Sequence, residues 1–246
     1  MEITDRFEFK FLLTSIQYEA IFSAFGNALQ PDTQGGPAGI YPVVSLYFDT
    51  PDLTCFWDAW RRLPSRRKLR IRVYGSADGA IPHTSFVEVK CKIDGSGIKH
   101  RVQTSLINAL ALASGKGSVE DFTTPTNQVV DLVHQMLEVE KFQPSCMLRY
   151  TRHAYTLHKI PGCNEPLEEP LRITFDEQIR YRFDNLVPEP EDSRFTLALI
   201  PDDQRILEIK GLGTVPFVLS QFLGEHKITP VSLSKYCTAM GLKLKP

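Results

Sequence analysis

The chain has 246 residues, 42% of them hydrophobic and 10% aromatic, which supplies a sizeable core and is unlike a disordered composition. Its 28 basic and 29 acidic residues leave a net charge of −1, which excludes polyanion binding through overall charge; any anion site must come from sorting charges in space. Five scattered cysteines without CxxC spacing argue against a disulfide framework or a structural zinc site, and neither a signal-peptide core nor a run of about 18 apolar residues is found. These features predict one soluble, cytoplasmic domain over residues 1–246.

Arg6-Phe7-Glu8-Phe9-Lys10-Phe11 alternates charged and aromatic side chains with period two, the mark of a strand with one polar face. Thr14 or Ser15 caps a predicted helix through about Leu29, with Ile16, Ala20, Phe22, Phe25 and Leu29 as buried positions. After a Pro- and Gly-rich loop over 30–40, the strand from Val43 to Asp49 sets Ser45, Tyr47 and Asp49 against Val44, Leu46 and Phe48. A short helix from Asp52 to Arg62 follows, with Trp57 and Trp60 read as packing residues.

Lys68-Leu69-Arg70-Ile71-Arg72-Val73-Tyr74 then places three cations on one strand face within roughly 14 Å, a self-repulsive arrangement unless an anion is expected there. Past a turn at Ser76–Pro82, the strand Phe86–Lys92 carries Glu88, Lys90 and Lys92 on one face. The turn Asp94-Gly95-Ser96-Gly97 pairs it with Ile98–Thr104, whose Lys99 and Arg101 share a face. Helices are predicted over Ser105–Ser114 and Asn127–Phe142. The strand Met147–Leu157 sets Arg149, Thr151 and His153 opposite Leu148, Tyr150 and Arg152, with Arg152 breaking the pattern. Leu171–Asp176 puts Arg172, Thr174 and Asp176 on one side; Arg205–Lys210 does the same for Glu208 and Lys210. Helices around Pro216–Leu223 and Ser232–Leu242 close the chain. The class is α+β, with about eight antiparallel strands decorated by helices.

Such alternation is also how an ordinary half-solvated sheet looks. Two observations favour a different arrangement. The polar faces are rich in Arg and Lys although the net charge is near zero, the acidic excess lying mainly in Glu165–Asp203. The helices also need apolar faces to pack on. If they cover the apolar faces, the charged faces look inward across a closed barrel, which is stable only when wet or filled by a compensating anion. Arg suits phosphate oxygens bidentately, and the few inward carboxylates (Glu8, Glu88, Glu208) suit a hard divalent cation shared with phosphate. A linear triphosphate or polyphosphate fits such a tunnel. Duplex nucleic acid does not, and no stacking platform for single strands is evident.

The ordered motifs Arg6-x-Glu8-x-Lys10, Ser45-Leu46-Tyr47-Phe48-Asp49-Thr50, Lys68-x-Arg70-x-Arg72-x-Tyr74-Gly75, Phe86-Val87-Glu88-Val89-Lys90, Leu148-Arg149-Tyr150, Leu171-Arg172-Ile173-Thr174-Phe175-Asp176, Leu207-Glu208-Ile209-Lys210 and Ser234-Lys235-Tyr236 resemble the VTC domain. That is the catalytic domain of the polyphosphate polymerase in the vacuolar transporter chaperone complex, within the triphosphate tunnel metalloenzyme superfamily. The resemblance implies a closed, CYTH-like antiparallel tunnel that transfers the γ-phosphate of ATP to a polyphosphate chain with Mn2+ or Mg2+. It further implies that Lys10, Arg70, Arg72, Lys90, Arg149, Arg172 and Lys235 carry catalysis by binding phosphate, with Lys99 as a further phosphate ligand and Glu208 as metal ligand. Lys210, Glu8 and Glu88 share the inward faces, Lys210 as another phosphate contact and the two glutamates as further metal ligands. A triphosphatase or a non-catalytic polyphosphate-binding module is the alternative. The eukaryotic enzyme's phosphate-sensing domain and membrane helices have no counterpart in these residues, so a stand-alone bacterial version with a separate membrane partner is expected.

Overall fold

Three helices begin where a side-chain oxygen accepts a backbone N–H that the first turn leaves without a partner. Thr14 caps α1 (Ser15–Phe25) in a reciprocal box with Gln17, Ser105 caps α3 (Leu106–Ala113), and Ser234 caps α6 (Lys235–Lys243). The computed structural model describes residues 6–32, 36, 38–75, 84–93, 96–116, 127–163, 165–188 and 194–245. Its strands are β1 (Arg6–Leu13), β2 (Leu29–Pro31), β3 (Ile40–Asp49), β4 (Arg66–Tyr74), β5 (Thr84–Ile93), β6 (Ser96–Ser105), β7 (Gln143–Leu157), β8 (Leu171–Arg182), β9 (Leu197–Ala198) and β10 (Arg205–Leu212). The remaining α-helices are α2 (Thr54–Trp60), α4 (Asn127–His134) and α5 (Phe217–Glu225).

The chain divides into two compact units, each drawn from separate segments. Unit 1 is Met1–Tyr41, Tyr150–Ile179 and Ile200–Leu233; unit 2 is Pro42–Arg149, Arg180–Leu199 and Ser234–Pro246. The hydrogen-bonded strand order is β1-β10-β8-β7 in unit 1 and β7-β3-β4-β5-β6 in unit 2, β7 having residues in both. The pairs β1–β10, β10–β8, β3–β4, β4–β5 and β5–β6 are all antiparallel. The fold is therefore an antiparallel sheet with helices, as expected; among the described residues no ladder joins β1 to β6.

In unit 1, Phe11, Leu13, Ile173, Phe175, Leu207 and Ile209 form one core with Ile21 and Phe25 of α1 and Leu219 and Leu223 of α5. Gly211 is required where β10 passes its neighbours, since a Cβ there would lie 2.6 Å from Leu171 Cδ2 and 2.7 Å from Phe7 Cζ. In unit 2, α3 lies against β4, β5 and β6, and α4 against β6. Leu69, Ile71, Val87, Val89 and Val102 are buried there with Ala109, Leu112, Val130 and Val133. In each unit, then, helices cover the apolar strand face and leave the charged face on the other side.

Several local expectations change. α1 stops at Phe25 and Leu29 starts β2, paired to Leu157 of β7, because a strand edge was available to it. Ile16 is 79% exposed and Trp60 66%, so neither is a packing residue. The helix expected from Asn127 to Phe142 becomes α4 followed by a π turn over Gln135–Val139. β8 runs past Asp176 to Arg182, where it gains β9 as a partner. The turn at Ser76–Pro82 and residues Asp94 and Gly95 of the next turn lie outside the described residues. Among the described residues, no helix is long and apolar enough to cross a membrane.

Candidate functional site

Directly paired residues of antiparallel strands share a face, so register decides which charges meet. In unit 1, Lys10 stands opposite Glu208 and Glu8 opposite Lys210. Lys210 Nζ lies 2.6 Å from Glu208 Oε1 and 3.6 Å from Glu8 Oε2. Lys10 Nζ lies 3.1 Å from Glu8 Oε1 and 3.6 Å from Glu208 Oε2. Two ammoniums and two carboxylates thus close a ring in which every carboxylate oxygen meets a cation. Burial alone would raise the Glu208 pKa, but Lys210, Lys10 and Arg152 outweigh it and hold the carboxyl well below the usual range.

β8 continues this face, with Arg172 opposite Lys210 and Thr174 opposite Glu208. Arg172 Nε donates to Asp32 Oδ2 at 3.0 Å. Arg152 grips Asp176 bidentately, Nε to Oδ1 at 2.7 Å and Nη2 to Oδ2 at 2.8 Å. Burial opposes the charge on Arg152, yet Asp176 and Tyr150 hold its pKa well above the ordinary value. Arg152 was absent from the expected site, because alternation from Arg149 pointed to His153 instead. His153 Nε2 meets Glu177 Oε1 at 3.1 Å, and Glu177 Oε2 accepts from Arg205 Nε at 2.9 Å. Arg205 lies 4.2 Å above the Tyr18 ring of α1, on the helix-covered side. The signal that could have found Arg152 was its own break in the pattern: a cation in an otherwise apolar phase needs a carboxylate there.

In unit 2 the register lines up Tyr47, Arg70, Glu88 and Arg101 in one row, Ser45 and Arg72 in another, and Lys68, Lys90 and Lys99 in a third. The Glu88 side chain is 1% exposed. Its Oε2 accepts from Arg70 Nε at 2.6 Å, while Oε1 lies 2.5 Å from Lys99 Nζ and 3.2 Å from Arg101 Nε. Burial would raise the Glu88 pKa; Arg70 and Arg72, then Lys99, bring it down to about 2. Arg70 Nη1 donates to the Tyr47 hydroxyl at 3.0 Å, and Arg72 Nε donates to Ser45 Oγ at 3.1 Å. The Tyr47 phenol is also buried, which would raise its pKa, but Arg70, Arg72 and Lys235 lower it to about 8.

Helix α6 meets the same face. Lys68 Nζ donates to Ser234 Oγ at 2.8 Å and approaches Cys237 Sγ at 3.3 Å. Tyr236 stacks on Tyr47 at 5.2 Å between centroids, and its hydroxyl donates to Asp49 Oδ2 at 2.5 Å. Asp49 also accepts the backbone N–H groups of Cys55 and Phe56 at the start of α2. Asp49 and Tyr236 are therefore anchors, and they set Lys235, the first residue of α6, beside Tyr47. Lys90 is exposed on β5, and Arg149 is half-buried on the unit 2 part of β7.

A divalent cation of the Mg2+ or Mn2+ kind takes one or two carboxylates and completes its shell with phosphate oxygens and water. Glu8 and Glu208 fit that demand: they are diagonal neighbours on one face, and their oxygens are held by mobile ammoniums that phosphate could draw away. The Glu88 oxygens are instead gripped by Arg70, Lys99 and Arg101. Among the described residues no cluster of three or more His, Cys, Asp or Glu ligands occurs, so phosphate and water would supply the rest of the shell.

The family model of the VTC domain matches residues 5–243. Among solved structures, HpAC1 from Hippeastrum, named as an adenylyl cyclase and described as having a dominant triphosphatase activity, is 16% identical over 97% of each chain, with a TM-score of 0.50. A protein of Bacillus halodurans named as an adenylate cyclase candidate is 14% identical over 94% of each chain, with a TM-score of 0.49. No curated protein matches the chain significantly. The likeness to HpAC1 is one of fold.

Proposed function

This chain belongs to the VTC domain family, and from that premise we propose a polyphosphate polymerase-like enzyme that transfers the γ-phosphate of ATP to a polyphosphate chain. In this reading the whole chain acts as one domain and the inward Arg and Lys line a closed antiparallel tunnel. The observation that carries it is the charge around Glu88: Arg70, Arg72, Lys99 and Arg101 are four cations gathered on one buried carboxylate. Such a cluster calls for further anionic charge.

Phosphoryl transfer asks the protein mainly for positioning and charge neutralisation. Arg70, Arg72 and Arg172 hold the phosphate chain bidentately, with Lys10, Lys90, Lys99, Lys210 and Lys235 as point charges. Arg149, in the strand phase of His153 and not of Arg152, does not join them. Glu88 acts as the standing counter-ion that keeps Arg70, Lys99 and Arg101 aimed at one place. Glu208, helped by Glu8, would hold Mn2+ or Mg2+, which when bound supplies charge neutralisation at the reacting phosphates. The nucleophile is a phosphate oxygen, so no general base is required. The partners are ATP, triphosphate and polyphosphate, with a separate membrane protein needed for any export of the product.

A triphosphatase is the second reading. It is favoured by Glu8, a carboxylate only partly buried and so able to position water, and by the fold shared with HpAC1. Incubation with ATP and Mn2+ followed by gel electrophoresis separates the two. A polymerase gives a phosphate ladder, and orthophosphate alone overturns it in favour of hydrolysis. Tight triphosphate binding without turnover, with Glu208→Ala leaving affinity intact, would indicate a binding module.

A further inference from the structure

Thr174 has no place in the ion-pair pattern of unit 1. It lies on β8 between Arg172 and Asp176, opposite Glu208 of β10. The residue is 2% exposed, and its Oγ1 is buried without a hydrogen-bond partner. Buried hydroxyls are seldom left so, because the lost hydration is not recovered. Its neighbours explain the isolation. Asp176 spends both oxygens on Arg152. Glu208 is held by Lys210 and Lys10, and Arg172 Nε is turned to Asp32. A valine has the same shape, suits a strand equally well and would avoid the cost. The hydroxyl therefore serves something other than the ligand-free fold.

We propose that Thr174 Oγ1 is a ligand-binding hydroxyl, donating to a phosphoryl oxygen of a triphosphate or polyphosphate on the charged face of unit 1. The inference rests on the proposed function above and adds to it a neutral, directional contact. When Lys10 and Lys210 turn from Glu8 and Glu208 to phosphate, an acceptor oxygen arrives on the face that carries this donor. The ammoniums attract phosphate without fixing the place of any one oxygen, whereas one hydroxyl can do so without adding charge.

The test is thermal unfolding with and without inorganic triphosphate, together with calorimetric titration, for the wild type, Thr174→Val and Thr174→Ser. Thr174→Val is expected to melt at a higher temperature than the wild type when ligand-free, yet to bind triphosphate about tenfold more weakly. Thr174→Ser is expected to keep wild-type affinity. A lower ligand-free melting temperature for Thr174→Val would mean the hydroxyl has a structural partner, and it overturns the inference. So does equal affinity of wild type and Thr174→Val, or an equal loss in both variants, while the proposed function stands. Absence of binding by the wild type overturns the proposed function and this contact together.

Discussion

In unit 1 the charged face is balanced group for group, Lys10 and Lys210 against Glu8 and Glu208, Arg152 against Asp176, and Arg172 against Asp32. In unit 2, among the described residues, the one carboxylate of Glu88 has four cations around it, Arg70, Arg72, Lys99 and Arg101, while Asp49 is committed to Tyr236 and the start of α2. The two faces look alike as sequence, since both are alternating strands with Lys, Arg and a glutamate. Their chemistry differs. A balanced ring can release its lysines to phosphate and offer its carboxylates to a metal, while a surplus of cations around one anion is stabilised by whatever further anion arrives.

The largest expected effect is at Glu88. Removing its charge leaves the guanidiniums of the buried Arg72, the partly buried Arg70 and the more exposed Arg101 without their shared counter-ion, so Glu88→Gln should cost about 3 kcal/mol in denaturant unfolding. Glu8→Gln in unit 1, at a partly solvated pair, should cost about 1 kcal/mol or less. Triphosphate should recover more stability in Glu88→Gln than in the wild type; equal costs for the two substitutions would erase the distinction drawn between the faces. Next comes the anchor of α6. Tyr236→Phe removes the buried hydrogen bond to Asp49 and should cost about 2 kcal/mol, measured the same way, with weaker triphosphate binding as Lys235 loses its place.

Acid should act through the same carboxylates. The Glu88 pKa lies near 2 in the folded chain against an ordinary 4.5, so its stabilising contribution is complete above 4.5 and is lost as pH falls through about 2. Glu208 shifts in the same direction. Unfolding followed by circular dichroism should show stability falling across that window, with a shallower fall in Glu88→Gln. The smallest effect is at Tyr47. Its pKa of about 8 lies below the ordinary 10, so its ionisation contributes stability that is complete above 10, shrinks as pH falls from 10 to about 8 and is absent below that. At neutral pH, Tyr47→Phe should therefore change stability little through ionisation, yet abolish a tyrosinate absorbance rise near pH 8. Triphosphate should move that rise upward by offsetting the charge of Arg70 and Arg72.

Much of this was legible before the structure. The period-two faces of β1, β4, β5 and β10 read correctly because helices cover one side of each unit's sheet, which forces strict alternation. Of the caps, Thr14 was legible, as one of two candidates with Ser15, because capping is local; Ser105 fell inside a predicted helix, and α6 begins after the expected Ser232, with Ser234 as its cap. What failed depended on distant partners. Arg152 is understood only with Asp176 beside it, and the partnering of Glu88 with cations from two neighbouring strands needs the register. Ile16 and Trp60 are apolar residues of short helices, whose buried side is chosen by the sheet and not by the helix. Leu29–Pro31 and Leu197–Ala198 are strands only because an edge of β7 or β8 was there to receive them.

The central claim is that the cation surplus around Glu88 is a phosphate site. Calorimetric titration of inorganic triphosphate into the wild type and Arg70→Ala, at low and high salt, tests it most directly. The account predicts wild-type binding that weakens with salt, and at least about tenfold weaker binding by Arg70→Ala. Equal affinities for the two proteins, or no binding by the wild type, would contradict it.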